Sequence, residues 1–356
     1  MTLLINNDVT SRVLRMPDAV AAMEHALAQY AQGRADFQPR TDFWSPTAEQ
    51  GDFYRWGSLL GGMMDPPTFA LRFKSDILRW TDYNGVQTEE WFCTEPGRYC
   101  GFVILIDTST GAVIAMLNDG VLQHVRVGAT AGVGAKYLAR EDATVLGVLG
   151  SGGMARTYTQ AIAAVRDLEE VRVHSPTPAN RERFAQEMQA ELGVPVIPCE
   201  SKKKALTDAD MIATCTDSRV PVYTSDMLDW HRPGAFIVRC RYDEMDDATF
   251  DAVDRIYVNS RGSYTDLVVG SQEDRDRRPN DKAYRRRYAP TDYPLLASVI
   301  AGEDAGRRSD DETIFYHCTS AGLQFAAVGR LVYEEAKKAG LGMPIPLDWF
   351  LQDVRN

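Results

Sequence analysis

The chain has 356 residues, 44% of them hydrophobic and 25% charged, a composition typical of a globular protein large enough for two domains. Its formal net charge of −11 disfavours nucleic acids and anionic membranes as partners, because binding to phosphate groups requires a basic face. The sequence lacks apolar runs long enough to span a membrane and a signal-peptide pattern. Its cysteines and histidines are not spaced as metal ligands. We therefore expect a cytoplasmic protein without a bound metal.

The first third of the chain predicts a helix followed by an antiparallel sheet. Residues 18–32 place apolar side chains along one stripe, as an amphipathic helix does. Residues 36–66 are aromatic, polar and rich in Pro and Gly, and are predicted to be irregular. Three strand-like runs follow, at residues 69–73, 101–106 and 112–117. A small-residue helix, 127–138, leads into the next part of the chain.

Residues 144–155 carry the most informative pattern, an apolar strand-like run that ends in glycines and opens a helix. Gly150, Gly152 and Ala155 match the G-x-G-x-x-G/A fingerprint of dinucleotide-binding folds. The first glycine permits a tight turn, the second lets the backbone approach a pyrophosphate, and N–H groups at the helix start favour phosphate. The expected cofactor contacts include the rest of this turn, Ser151, Gly153 and Met154. A structural turn without a nucleotide is the alternative.

Strands and helices alternate after this motif, which predicts a doubly wound parallel sheet. The predicted strands are 171–174, 194–197, 211–214, 235–240 and 255–258. The charged stretch 272–287 is predicted to be a solvated loop or helix. A long final helix, 321–340, is predicted to return and pack on the first domain.

The end of the second strand bears on the choice between NAD and NADP. NAD enzymes place an acidic residue there to bind the ribose 2′-hydroxyl, whereas this chain has Ser175 and Thr177, with Arg181 close behind. Hydroxyl groups and an arginine suit a 2′-phosphate, so NADP is favoured over NAD; a simple turn is the alternative. Thr214 and Thr216, at the end of a later strand, are candidate contacts to ribose or nicotinamide. The alternative is that they are ordinary polar residues where a strand ends.

Candidate substrate contacts are less distinctive. Lys74 lies on a strand among apolar neighbours, where it could bind a substrate carboxylate or extend to solvent. Arg40 and Arg126 are equally ambiguous alone. Asp243 follows the strand 235–240, a position useful for a general acid or base, but three more acids follow it within four residues.

Taken together, several segments resemble the ornithine cyclodeaminase/mu-crystallin family. They are Arg126–Ala131 leading into residues 150–155, the late run 310–315 and the segment 320–322. The resemblance covers nearly the whole chain. It implies an α/β fold in which a doubly wound Rossmann domain, 127–319, is inserted in an α/β substrate-binding and dimerisation domain, 1–126 plus 320–356. It also implies a homodimer whose substrate domains pair into a closed barrel.

By position, the resemblance implies that Arg40 and Lys74 bind the substrate carboxylate. It implies that Arg126 contacts both cofactor and substrate, that Ser320 contacts the cofactor, and that Asp243 is the catalytic carboxylate. Two departures count against ornithine cyclisation. Residues 240–246 lack the longer Gly- and Pro-containing segment of true cyclodeaminases, and Phe325 stands near the position where many members carry an aspartate.

The leading hypothesis is an NAD(P)-dependent oxidoreductase of amino-acid metabolism that reduces a small carboxylate-bearing imine or ketimine, or oxidises the matching amino acid. Arg40 and Lys74 would orient the substrate, and Asp243 would hold or relay a proton or stabilise an iminium. One alternative is an ornithine cyclodeaminase-type lyase that releases ammonia with NAD as a catalytic cofactor. A second is a non-catalytic, mu-crystallin-like binding protein.

Overall fold

The computed structural model describes residues 1–83, 86–261, 265–277 and 293–354. The first part of the chain supplies most of one sheet and three helices. Its elements are β1 (Thr2–Ile5), α1 (Asn7–Val13), α2 (Met16–Ala31), β2 (Ala35–Pro46), β3 (Phe53–Met64), β4 (Pro67–Tyr83), β5 (Val86–Phe92), β6 (Gly101–Ile106), β7 (Val113–Asn118) and α3 (Asp119–Leu138).

The rest of the chain builds a second sheet and then returns to the first. Its middle elements are β8 (Val145–Leu149), α4 (Gly153–Ala163), β9 (Glu170–His174), α5 (Pro178–Leu192), β10 (Val196–Pro198), α6 (Lys202–Leu206), β11 (Met211–Thr214), β12 (Phe236–Arg239), α7 (Asp247–Ala252) and β13 (Arg255–Val258). Its last elements are β14 (Thr265–Val268), α8 (Gln272–Arg277), α9 (Leu296–Ile300), β15 (Ile314–His317), α10 (Gly322–Lys338) and β16 (Met343–Ile345). Short 3-10 helices lie at Ser225–Trp230, Tyr242–Glu244 and Leu347–Phe350.

The first sheet has the strand order β14-β2-β3-β4-β6-β7-β1-β16, with β5 paired to β4. Its pairs are antiparallel except for β1 on β7 and β14 on β2, which are parallel. Helices α2 and α10 pack against β3. Side chains alternate between the faces of a strand, so alternate residues of β4 share one buried face. These residues are Thr68, Ala70, Arg72, Lys74, Asp76 and Leu78.

Charged side chains are rare in a protein interior, because removing an ion from water is costly unless it is paired. The buried face of β4 nevertheless carries three of them in succession, Arg72, Lys74 and Asp76. The neighbouring strand β3 adds the buried Arg55, which is directly opposite Asp76 in the register. This part of the first sheet therefore resembles a binding surface rather than a hydrophobic core.

The second sheet is wholly parallel, with the order β10-β9-β8-β11-β12-β15-β13. Every residue of β8 is buried, as expected for a central parallel strand covered by helices on both faces. The predicted α/β fold with a doubly wound sheet is confirmed. Strand β15, between β12 and β13, was not among the predicted strands.

Helix α3 joins the two sheets, and close helix packing holds it in place. A Cβ added to Gly128 would lie 2.5 Å from the carbonyl oxygen of Thr157 in α4, and one added to Gly132 would lie 2.8 Å from that of Ala161. Only glycine allows this separation of the two helices. The helix begins eight residues before the predicted start at 127, because Asn118 caps it by accepting a hydrogen bond from the Gly120 N–H, 2.8 Å long.

The prediction of an irregular region at 36–66 is wrong. Residues 35–46 and 53–64 form two long antiparallel strands, β2 and β3, with a register shift between Gln38 and Thr41. The sequence pattern failed because the buried face of these strands holds Arg55 and Gly57 where a scan for alternating apolar residues expects Val or Leu.

The division into 1–126 plus 320–356 and 127–319 remains a prediction, and one element complicates it. Strand β14 lies within the predicted insert but pairs with β2 of the first sheet. Helix α10 returns to pack on β3 and β4. Of the charged stretch 272–287, the first six residues form the exposed helix α8, and 278–287 lie outside the described residues. In the parts of the chain described here, no helix has the length and apolar character needed to cross a bilayer.

Candidate active site

A cleft with a volume of 1710 Å³ lies between the two sheets. One wall consists of the loops that follow β8, β9, β11, β12 and β15, at the carboxyl edge of the parallel sheet. The opposite wall consists of side chains from β2, β3, β4 and β5. Ligands of doubly wound folds bind at this edge, so the first sheet provides the remaining wall of an expected site.

The glycine-rich turn has the geometry that a dinucleotide needs. Gly150 has φ +113, and a Cβ there would lie 2.2 Å from the carbonyl oxygen of Cys215, so only glycine fits. A Cβ on Gly152 would meet nothing within 4 Å, which leaves the backbone open to the cleft. Gly152 is also the N-cap of α4, whose first N–H groups receive no side-chain cap. These features fit a bound pyrophosphate.

The predicted cofactor residues of this turn lie together, with one exception. Ser151, Gly153 and Met154 line the cleft with Gly150 and Gly152. Ala155 is fully buried and does not line the cleft. Its small side chain suits the close packing of α4 on the sheet, the role expected of the third position in the fingerprint.

The loop after β9 brings two hydroxyl groups to the cleft. Ser175 and Thr177 line it, and Ser175 Oγ accepts a hydrogen bond from Ser151 Oγ at 2.9 Å. Arg181 does not line it, because its Nη1 donates to the carbonyl oxygen of Ser175 at 3.0 Å. The cations that line the cleft include Arg183 on α5 and Lys202 on α6, neither of which was predicted from the sequence.

The exit of β11 is organised around a buried acid. Glu244 is fully buried and accepts hydrogen bonds from Thr214 Oγ1 at 3.1 Å, Thr216 Oγ1 at 2.8 Å and the Arg241 N–H at 2.8 Å. Burial raises the pKa of Glu244, and these hydrogen bonds oppose the rise. Thr216 lines the cleft, whereas Thr214 lies beneath it. Glu244 therefore shapes the loop and is not exposed to a ligand.

Among the acids at 243–247, the cleft is lined by Asp243. Its Oδ2 lies 3.4 Å from Arg219 Nη1 and 3.9 Å from Arg241 Nη2. Asp246 instead caps α7, accepting a hydrogen bond from the Thr249 N–H at 3.0 Å. In the described part of the chain, no group of three or more His, Cys, Asp or Glu residues is arranged to hold a metal ion.

Lys74 lies on the opposite wall, and only 2% of its surface is exposed. Its Nζ is 2.6 Å from Asp76 Oδ2, an ionic contact whose angle does not meet hydrogen-bond geometry, and 3.8 Å from the ring centroid of Trp91. Burial, and next the positive charge of Arg55, hold the pKa of Lys74 well below the usual lysine value. A buried ammonium whose N–H groups can still donate hydrogen bonds is suited to binding a carboxylate.

Arg126 lies on α3, the helix that joins the two sheets. Its Nη1 donates to Ser320 Oγ at 3.0 Å and to Gln324, and its Nη2 donates to Gln123 Oε1 at 2.8 Å. The guanidinium also stacks on Phe325, 4.6 Å from the ring centroid. Burial lowers the pKa of Arg126 to about 10, so it remains a cation at neutral pH. Arg126 and Ser320 both line the cleft.

Arg40, from β2, completes the predicted substrate group. It lines the cleft, and its Nε donates to Asp42 Oδ1 at 2.6 Å. The structure therefore brings Arg40, Lys74 and Arg126 to one cleft with the dinucleotide turn, although 86 residues of sequence separate the first of them from the last.

Several charged and aromatic residues of the cleft were missed from the sequence. Glu89, in β5, accepts hydrogen bonds from Arg219 Nη1 at 2.5 Å and from Arg241 Nη2 at 3.1 Å, and so links the first sheet to the loops of the second. The other missed lining residues include Arg55, Arg72, Trp91 and Tyr99. The detectable signal was charge alternation at a period of two in β4, which places Arg72, Lys74 and Asp76 on one face.

These features define a class of protein, a dinucleotide-binding α/β enzyme with a cationic pocket beside the nucleotide site. A model of the ornithine cyclodeaminase/mu-crystallin family matches residues 2–340. The chain therefore belongs to the ornithine cyclodeaminase/mu-crystallin family, as the sequence motifs predicted.

Individual relatives are similar over most of their length. The chain is 29% identical to Delta(1)-pyrroline-2-carboxylate reductase of Bacillus cereus over 250 residues, 68% of this chain and 73% of that protein. It is 30% identical to iminosuccinate reductase of Paracoccus denitrificans over 245 residues, 69% of this chain and 73% of that protein. The structure of Thermococcus litoralis Delta(1)-pyrroline-2-carboxylate reductase, in complex with NADH and L-proline, shares the fold with a TM-score of 0.76 and 23% identity, covering 97% of this chain and 100% of that chain.

Proposed function

We propose that the protein is an NAD(P)H-dependent reductase of small carboxylate-bearing imines, which also catalyses the reverse oxidation of the matching amino acids. The observation that carries this proposal is the cleft, in which the cations Arg40, Lys74 and Arg126 lie opposite a glycine turn suited to a pyrophosphate. Similarity to a pyrroline-2-carboxylate reductase and an iminosuccinate reductase supports it, because both names describe reduction of an imine acid.

The cationic wall would bind and orient the substrate carboxylate. Lys74 and Arg126 are both nearly inaccessible to water, so a charge-assisted hydrogen bond to either is stronger than it would be at the surface. Two contacts to one carboxylate fix the plane of the adjacent C=N group, which converts binding energy into correct orientation. The reduced nicotinamide, when bound, supplies the hydride.

The protein side chains then handle charge and protons. Asp243, which lies beside the guanidinium groups of Arg219 and Arg241, is suited to stabilise a positively charged iminium. We assign the proton that the imine nitrogen gains to Lys74, because its lowered pKa makes its ammonium a better acid than an ordinary lysine. Trp91 lies over the Lys74 ammonium and limits the access of water to it.

The same electrostatics disfavour the cyclodeaminase alternative. Ornithine carries a second ammonium group, and a site for it requires an uncompensated acid near the substrate carboxylate. The acids beside Arg40 and Lys74 are Asp42 and Asp76, each already in contact with its cation, and Asp243 likewise lies beside Arg219 and Arg241. The inward position of Arg40 and Lys74 likewise favours an enzyme over a protein that binds the nucleotide alone.

The preference for NADP is part of the proposal. The loop after β9 presents Ser175 and Thr177 to the cleft, and α5 and α6 add Arg183 and Lys202. The position directly after β9 holds no acid to bind a ribose 2′-hydroxyl. Removing one cation from a 2′-phosphate site costs about 1.5–3 kcal/mol, equivalent to about 10- to 150-fold in affinity. We expect Arg183→Gln to weaken NADPH binding by this amount and NADH binding little. Titration of protein fluorescence measures both dissociation constants. The control is Lys203→Gln, which changes the residue next to Lys202.

We also propose that the protein is a homodimer that pairs through the outer face of the first sheet. That face is apolar and only half-buried, which suits a surface covered by a second copy. The residues that share it are Phe69, Leu71, Phe73, Phe102, Ile104 and Ile106. Light scattering of the purified protein, compared with Leu71→Glu, tests this; a wild-type protein of monomer mass would refute it.

The experiment for the activity follows NADPH and NADH oxidation by absorbance with a panel of cyclic and ammonium-derived imine acids. Ornithine with a catalytic amount of NAD is assayed in parallel for ammonia. Steady oxidation of reduced cofactor, lost in Lys74→Met, supports the reductase. Ammonia release without net change in cofactor would instead identify a cyclodeaminase. Tight dinucleotide binding with neither reaction, across the panel, would refute both activities.

A further inference from the structure

Arg55 is a buried cation that none of the roles above requires. It lies on β3, and only 5% of its surface is exposed, yet it lines the cleft with Lys74 and Arg40. The register places it opposite Asp76, and it places Gly57 opposite Lys74. Residues two apart on a strand share a face, so Arg55 and Lys74 face the same region from neighbouring strands.

The guanidinium of Arg55 is held in position by aromatic rings rather than by an anion. Its central carbon lies 4.5 Å from the ring centroid of Trp91 and 5.2 Å from that of Trp44. Nε and Nη2 of Arg55 have no hydrogen-bond partner among the described protein groups. The nearest carboxylate contact, Nη2 to Asp76 Oδ2, is 4.0 Å, too long for a hydrogen bond.

Arg79, on the adjacent strand, shows what a structural ion pair looks like in this protein. Its Nε and Nη2 donate to both carboxylate oxygens of Asp52, at distances from 2.6 to 3.2 Å. Arg55 makes no such fork with the protein. Burying a guanidinium without hydrogen bonds is unfavourable, and a protein that retains one usually has a ligand for it.

The charges around Arg55 are also unbalanced. Arg55 and Lys74 are buried and Arg40 is half-buried, and the three cations lie beside two carboxylates, Asp42 and Asp76. Glu89 is engaged by hydrogen bonds from Arg219 and Arg241. Of the three cations Arg40, Arg55 and Lys74, one therefore lacks a carboxylate partner. Arg126, on α3, is a further cation and is not included in this count.

We propose that Arg55 is a specificity-determining residue that binds a second acidic group of the substrate, so that the preferred substrates are imines of dicarboxylic acids. The proposal rests on the proposed reductase function. In it, Lys74 and Arg126 bind the carboxylate next to the C=N carbon, and the fork of Arg55, with Arg40 beside it, binds the distal carboxylate. Planar, bidentate recognition of a carboxylate is the interaction for which arginine is better suited than lysine.

The test compares imines that differ in the distal group alone. Each is formed in the assay from ammonium and a 2-oxo acid, either a monocarboxylate (pyruvate, 2-oxobutanoate) or a dicarboxylate (oxaloacetate, 2-oxoglutarate). The variants are Arg55→Gln and Arg55→Lys, with Arg79→Gln as the control because Arg79 lies outside the cleft. We expect Arg55→Gln to lower kcat/KM by about 10- to 150-fold for the dicarboxylates and less than about threefold for the monocarboxylates. Arg55→Lys should recover part of the loss.

A binding measurement separates this proposal from the reductase activity. Arg55 contacts two tryptophan rings, so a ligand that engages it should change tryptophan fluorescence. Aspartate and glutamate should titrate the wild-type fluorescence in the presence of oxidised cofactor, alanine should do so at much higher concentration, and Arg55→Gln should abolish the difference. The thermal melting temperature of each variant shows whether it folds; if Arg55→Gln does not, Arg55→Lys decides.

The outcomes are distinct. If imines are reduced but monocarboxylates and dicarboxylates serve equally well, or if Arg55→Gln lowers both alike, the second acidic group is refuted while the reductase function stands. If no imine is reduced, the proposed function fails. Dicarboxylate-selective fluorescence changes that depend on Arg55 would then still identify the anion subsite.

Discussion

Replacement of Lys74 by methionine tests the substrate wall most directly. Methionine keeps most of the side-chain volume and removes the ammonium, so the change isolates a charge that is 2% exposed in the folded protein. Truncating one partner of a buried, hydrogen-bonded charge pair costs about 2–5 kcal/mol, which is about 30- to 5,000-fold in kcat/KM. Affinity for the dinucleotide should change less than about twofold, because Lys74 lies on the sheet opposite the glycine turn.

The substitution also leaves Asp76 without its nearest cation. That carboxylate has no exposed surface, and its remaining cationic neighbour, Arg55, is 4.0 Å away. An uncompensated buried charge destabilises a protein by about 3–5 kcal/mol, so Lys74→Met should also melt at a lower temperature. The double variant Lys74→Met/Asp76→Asn should recover the melting temperature and should not recover kcat/KM.

The assay is steady-state reduction of an imine acid, with dinucleotide affinity measured by fluorescence and stability by thermal denaturation. If the double variant recovered activity together with stability, Lys74 would be an element of folding and not a substrate contact. Equal losses in dinucleotide affinity and in kcat/KM would also refute the assigned role.

Three further predictions follow from the cleft. Gly150→Ala should weaken dinucleotide binding by about 5- to 150-fold, because backbone strain at positive φ costs about 1–3 kcal/mol. The new Cβ would also lie 2.2 Å from the Cys215 carbonyl oxygen. An unchanged dissociation constant for the dinucleotide would contradict the proposed geometry of the phosphate-binding turn. Asp243→Asn should lower kcat about 100-fold or more with dinucleotide affinity retained, and a fully active variant would remove Asp243 from the reaction. A pH profile of kcat/KM should fall on the alkaline side well below the ordinary lysine pKa of about 10.4, because the cation that binds the carboxylate is lost as pH rises through the lowered pKa of Lys74. That alkaline limb should be missing in Lys74→Met.

The nucleotide half of the molecule could be predicted from the sequence because its signals are local. Residues 145–149 are a continuous apolar run, as central parallel strands are, and the glycine turn follows directly. One residue of this half shows the limit of local reasoning. Arg181 was the expected phosphate contact, but on α5 the face toward the cleft carries Asn180, Arg183 and Glu187, at helical spacings of three and four.

The substrate wall could be predicted only in part, because its charges are paired over long distances in the sequence. Glu89 accepts a hydrogen bond from Arg219, 130 residues away in the sequence, and no local sequence pattern predicts such a contact. Arg55 was missed for a different reason. Its strand was taken as irregular because Arg55 and glycines interrupt the buried apolar residues of β3, so hydrophobic alternation does not mark the strand.

The pairing of β1 with β16 has a consequence for how the protein is made. Thr2 lies opposite Ile345, and β16 occupies the edge of the sheet next to β1. One neighbour of β1, β7, comes before the nucleotide-binding sheet in the sequence, whereas the other, β16, is synthesised only after that whole sheet. Contacts between such distant segments close slowly, so the parallel sheet has time to fold first and to hold the two ends of the chain near each other until they join.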